Sequence, residues 1–208
     1  MLEKLAYSLG RNDEDLNIAL AKELAKAKNK KGIKEMVDGL KNPKEQIAND
    51  CIKVLYETAY ISPELISEHI NDFIQILKSR NNRLVWGSMI ALSKIISYNP
   101  EEAFNNLDII LRAYEKGSTI TRDNSISVFA ELVKAGKKYD NKVFPIIIKH
   151  LEKCRPKEVG QHAERAFVCI NKNNSQIFKE TLLKRHGSLT DAQKKRVDKL
   201  LKNLPAKP

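Results

Sequence analysis

Residues 81–117, NNRLVWGSMIALSKIISYNPEEAFNNLDIILRAYEKG, are one copy of a 37-residue unit that recurs without a gap at 44–80, 81–117 and 118–154. Laid over one another, the copies agree in their apolar columns. Ile47, Leu84 and Thr121 open the unit, and Leu55, Leu92 and Phe129 follow eight residues later. Ile70, Leu107 and Phe144 begin a second apolar stretch, continued by Ile74, Leu111 and Ile148. A period between about 20 and 50 residues marks a solenoid, because each unit buries its apolar face only against its neighbours.

The unit extends in both directions. Upstream, Leu16, Leu20 and Leu24, with Ala19 and Ala27, predict a helix over Asn12 to Lys28, capped by Asn12 or Asp13 with Glu14 and Asp15 in its first turn. Ile33, Met36, Val37 and Leu40 predict the next helix, 37 residues before Ile70, Phe73, Ile74 and Leu77. This is a first, atypical repeat over 12–43. Asn42-Pro43-Lys44-Glu45 and Asn99-Pro100-Glu101-Glu102 are helix starts, since the missing donor of proline is harmless in the first turn. Ser62-Pro63-Glu64 predicts a second helix running through Leu77. Pro145 follows Phe144 in the fourth unit, where an interior proline predicts a bend or a late start.

A fifth repeat over 155–189 begins at Pro156 with Glu158 at the third position, and Asn171 to Asn174 make its turn. Thr190-Asp191-Ala192-Gln193 is a capping box for a closing helix over 190–204, with Val197, Leu200, Leu201 and Leu204 inward and Lys195, Lys199 and Lys202 outward. Pro205 ends it, and the residues beyond are expected to fray. The whole chain reads as one domain.

At this point the repeats resemble the HEAT, or armadillo-like, family. The run Leu84-Val85-x-x-Ser88-x-x-Ala91-Leu92-x-x-Ile95 is similar to that family's first helix, and Val143-Phe144-Pro145-Ile146-Ile147-Ile148-x-x-Leu151 to its second. The resemblance implies an all-α, right-handed α-α superhelix of about five two-helix repeats plus a C-terminal capping helix. It also implies that the second helices line a concave face. A weaker architectural likeness to HEAT-like DNA alkyl-base glycosylases would make Asp123 the catalytic acid beside Trp86, although the several tryptophans of that group are missing here.

Composition bounds the rest. The 208 residues are 42% hydrophobic and 30% charged, with eight glycines and 6% aromatics, a helix-favouring soluble mixture. No stretch reaches the roughly 18–20 apolar residues that span a bilayer, and the first residues carry no apolar leader core. A cytoplasmic protein without membrane contact is expected. Cys51, Cys154 and Cys169 form no Cys-x-x-Cys pair and read as structural thiols, Cys51 sharing its column with Ser88 and Ser125. Cys154, His162 and Cys169 are near in sequence but lack the close ligand pairs of zinc sites, so neither metal nor cofactor is expected. No phosphate loop or nucleophile elbow occurs.

The net charge of +11 is uneven. Residues 1–117 carry 17 Lys/Arg against 17 Asp/Glu, and residues 118–208 carry 20 against 9. Arg112 aligns with Lys149 and Lys116 with Lys153, and Lys184 and Arg185 fall nearby in the next repeat. Together with Lys195 and Lys199 they are the candidate binding residues. Trp86 shares its column with Asn49 and Asp123 and is expected to pack at a repeat junction. The functional expectation is a non-enzymatic scaffold binding a protein with an acidic surface. The alternatives are nucleic-acid binding by the basic half and, third, base excision.

Overall fold

The computed structural model describes residues 1–205. Among them are twelve α-helices and six short 3₁₀ segments, and no strand. The contacts divide the chain into two compact units, residues 1–125 and 126–208.

The first unit opens on α1 (Asp15–Lys26) and α2 (Lys30–Gly39). The buried stripe of α1 is Leu20, Ala21, Leu24 and Ala25, while Ala19 and Ala27 are exposed. The helix starts later than expected, because Asp13 Oδ1 takes the N–H of Asp15 in a turn (3.2 Å) and leaves Glu14 at the cap position. Ile33, Met36, Val37 and Leu40 of the α2 segment are buried, as the pattern predicts. Helix α3 (Glu45–Ile61) follows, its start again displaced because the Asn42 side chain accepts the N–H of Lys44 (2.9 Å). Leu55 and Leu92 are fully buried, as is Phe129 in the second unit, so the deepest column of the repeat is one the sequence shows.

The predicted continuous helix from Ser62 to Leu77 is interrupted. Backbone bonds from Leu65 to Ser62, Ile66 to Pro63 and His69 to Ile66 tighten the chain into two 3₁₀ turns before α4 (Ile70–Ile76). The next unit repeats this division: α5 (Asn82–Ile95), a 3₁₀ turn, then α6 (Pro100–Asn105) and α7 (Leu107–Lys116). The Asn81 side chain caps α5 by accepting from Arg83 and Leu84. Close approach of α3 and α5 is fixed at Gly87, where a Cβ would stand 2.5 Å from Ile52 Cγ1. Cys51, Ser88 and Ser125 are fully buried, in keeping with a column that admits only small groups.

Helix α8 (Thr119–Ala135) contains the boundary between the units, and α9 (Lys137–Lys153) runs unbroken through Pro145. Pro145 and Asn141, the residue whose carbonyl loses its helical partner there, are both exposed, so water can satisfy that group. In the second unit α10 (Pro156–Ala166) starts with Glu158 accepting the N–H of Arg155 (3.2 Å). Asn174 then makes the predicted turn, accepting from Asn171 N and donating to Cys169 O. Helices α11 (Ser175–His186) and α12 (Asp191–Lys202) complete the unit. The Thr190–Gln193 capping box forms in both directions. Val197 is fully buried, and Arg196 reaches from α12 to Glu164 on α10 (Nε–Oε1 2.6 Å). The residues expected to fray after Pro205 lie outside the described ones. No helix among the described residues is long and apolar enough to cross a membrane.

Candidate functional site

Arg112 and Lys116 stand one turn apart on the exposed side of α7. Across from them the segment between α4 and α5 brings Lys78 and Arg80. Together they line a cleft of about 540 Å³ whose floor includes Leu77, Val85, Ile109 and Ala113. Asp108 is the one carboxylate on its wall. Four cations around an apolar floor can hold an extended segment that alternates acidic and apolar side chains. Arg112 and Lys116 were legible from the repeat register; Lys78 and Arg80 were not, because they belong to a turn rather than a helix face.

Lys149 and Lys153 line a second pocket in the second unit together with Glu152, beside Phe144, Pro145 and Ile148 on α9 and Ile177 on α11. Lys184, Lys195 and Lys199 are exposed there on α11 and α12. Arg185 differs from the rest of the predicted set. Its guanidinium donates to the carbonyls of Leu151 (2.6 Å) and Cys154 (2.7 Å), closing the C-terminal end of α9. It is a capping group rather than part of a binding face.

Trp86 is half-buried at the junction of α3 and α5. Its ring centroid lies 5.7 Å from that of Tyr56, and the Arg83 guanidinium sits 5.5 Å above it. Beneath this pair runs a charge network. Lys53, 6% exposed, binds Glu14 (2.9 Å) and Glu57 (2.8 Å), and Glu14 also takes Arg83. Burial alone would lower the Lys53 ammonium, but hydrogen bonds with Glu57, Tyr56 and Glu14 raise it. Burial would likewise raise the Glu14 carboxyl, and the hydrogen bonds from Lys53 and Arg83 outweigh that and hold it low. Asp123 is half-buried on α8.

A second polar cluster was missed in the sequence. His150 and His162 face each other with Nε2 and Nδ1 2.7 Å apart, and Cys154 joins them. The sequence carries one signal for it, the His150-x-x-x-Cys154 spacing of one helical turn.

These features define an all-α helical-repeat protein with an armadillo/HEAT-like fold. A designed armadillo repeat protein superposes with a TM-score of 0.63 at 14% identity, covering 99% of this chain and all of its own. An engineered protein gives 0.61 at 16% identity over 97% of this chain and 95% of its own. A computationally designed armadillo repeat protein for modular peptide recognition gives 0.60 at 14%, over 92% and 93%. No family model matches the sequence, and no curated protein does. The expected likeness to DNA glycosylases finds no support in these comparisons.

Proposed function

We propose that this protein is a non-enzymatic helical-repeat scaffold that binds an acidic, partly apolar segment of another protein. The observation that carries the reading is the first-unit cleft, with Lys78, Arg80, Arg112 and Lys116 around Leu77, Val85 and Ile109. Its support from similar folds is that one such structure was designed for modular peptide recognition. Free thiols at Cys51, Cys154 and Cys169 suit a reducing, cytoplasmic setting.

The test is fluorescence anisotropy with a labelled peptide alternating Glu and Leu. Binding is expected to weaken with salt and to fall at least about tenfold in Arg112→Glu/Lys116→Glu, as for charge-assisted contacts. Equal binding of a Lys-Leu peptide, or an unchanged double variant, would sink the reading.

One observation favours a second reading, nucleic-acid binding. Residues 126–208 carry 19 Lys/Arg against 8 Asp/Glu, which is the whole net charge of the chain. Phosphate contacts by Lys149, Lys153, Lys184, Lys195 and Lys199 would make duplex DNA affinity drop steeply between about 50 and 200 mM salt. A flat salt response would rule this out.

A further inference from the structure

His150 and Cys154 are four residues apart at the C-terminal end of α9, so both project from one helical face. His162 comes from α10, beyond the turn at Arg155–Pro156, and meets them from the other side. One donor atom from each residue lies within 4.8 Å of the other two. The two imidazoles are almost wholly enclosed, His162 at 0% and His150 at 5% exposure, while Cys154 is half-buried at the edge.

We propose that His150 Nε2, His162 Nδ1 and Cys154 Sγ form a zinc site, with the fourth position left to water beside the half-buried cysteine. Two imidazoles and a thiolate are a borderline-soft donor set that suits Zn²⁺ and would not hold Mg²⁺ or Ca²⁺. Zinc bonds of about 2.0–2.1 Å to nitrogen and about 2.3 Å to sulfur place tetrahedral donors roughly 3.3–3.6 Å apart. The atoms here span that range: the nitrogens begin at 2.7 Å and the trio closes within 4.8 Å. Loading therefore parts the nitrogens by about half an ångström, with the sulfur standing within 4.8 Å of a donor nitrogen of each ring.

The proton balance is defined. Of the two facing nitrogens one carries hydrogen, and that proton moves to the far nitrogen of the same ring, leaving two neutral imidazoles with lone pairs on the metal. The thiol proton leaves to solvent, so each zinc releases one proton.

The surroundings favour a built site over a chance meeting. A hydrogen-bonded imidazole pair accounts for two of the three residues; the Cys154 thiol makes a long 3.8 Å contact to the Leu151 carbonyl and lies beside Arg185. Arg185 holds the ligand-bearing turn by binding the Leu151 and Cys154 carbonyls. Glu158, one turn before His162 on α10, is paired with Arg155 and fixes the start of the helix that carries His162.

Apo protein titrated with Co²⁺ should take up one equivalent and show a sulfur-to-cobalt charge-transfer band with intense tetrahedral visible absorption, both lost on adding one equivalent of Zn²⁺. Zinc titration in weak buffer should release one proton. Cys154→Ser, at a half-exposed position, should melt like wild type in chelator, lose the charge-transfer band and bind zinc at least 100-fold more weakly. His162→Asn should abolish uptake; if it fails to fold, the serine variant decides alone. Less than one equivalent bound by wild type, a weak octahedral cobalt spectrum, or a charge-transfer band surviving in Cys154→Ser would each overturn the site.

Discussion

The Lys53 ammonium lies 2.9 Å from the Glu14 carboxylate although only 6% of the lysine is exposed, and Glu57 holds it from the other side at 2.8 Å. The ion pair ties the cap of α1 to the middle of α3, and through Arg83 to α5. A buried charge is tolerated when paired and costs heavily when stranded. Neutralising both carboxylates in Glu14→Gln/Glu57→Gln leaves the buried ammonium without a counter-charge and should therefore destabilise the protein by about 3 kcal/mol. Lys53→Met removes the charge itself and should cost less than about 1 kcal/mol. Urea unfolding of the two variants measures the difference; equal losses would mean that the lysine stem, not its charge, matters.

Of the carboxylates held below their ordinary value, the three partly buried ones should matter most in acid. The Arg155 hydrogen bond holds Glu158 below its ordinary 4.5, and Arg196 does the same for Glu164. Glu14 is held low against its own burial. A depressed folded value means stability that is complete above the ordinary value and lost as pH falls through the folded one. Wild-type stability should thus be level above about pH 5 and decline below pH 4. Glu158→Gln should start less stable at pH 6 and fall less between pH 5 and 3, which a series of thermal melts records.

Two glycines should respond oppositely to alanine. At Gly87 the new Cβ would meet Ile52 Cγ1 at 2.5 Å in the α3–α5 contact, and the helices must part. Gly87→Ala should cost about 2–3 kcal/mol, as overpacking does. Gly187 is helical in backbone with nothing within 4 Å, so Gly187→Ala should gain a few tenths to about 1 kcal/mol. A stable Gly87→Ala protein would contradict the close approach.

The three thiols should differ in reactivity. Burial pushes Cys51 and Cys169 up to about 12, whereas Cys154, also raised by burial, is half-exposed and has Arg185 acting against the rise. With a chelator present to keep the protein metal-free, an alkylating reagent at pH 8 should modify Cys154 first, with the other two reacting only on unfolding. Mass mapping after brief labelling tests this, and early labelling of Cys51 would refute it.

The fold was legible because its information is periodic. Leu55, Leu92 and Phe129 lie 37 residues apart and are all fully buried. The breaks inside each unit were not, because Ser62-Pro63-Glu64 opens a 3₁₀ turn as readily as an α-helix, and the choice rests on how Leu65 and Ile66 are buried. In the site, register picked out Arg112 and Lys116 through their alignment with Lys149 and Lys153, and said nothing of Lys78 and Arg80 across the cleft. Composition could not separate Arg185 from its basic neighbours, since only the position of the α9 carbonyls gives it a different role. The meeting of His150 with His162 was hidden for the same reason: His162 arrives from another helix.

That role of Arg185 bears on how the array can be edited. The last carbonyls of α9, in the fourth repeat, are sealed by a side chain supplied from α11, in the fifth. Excising residues 155–189, or transplanting the fourth repeat into another array, would leave a helix end without its seal. Arg185→Lys would not restore it, because one ammonium lacks the planar fork that reaches two carbonyls at once. The fourth repeat is punctuated by its successor, so the chain can be cut or extended behind it only where the next unit brings such an arginine.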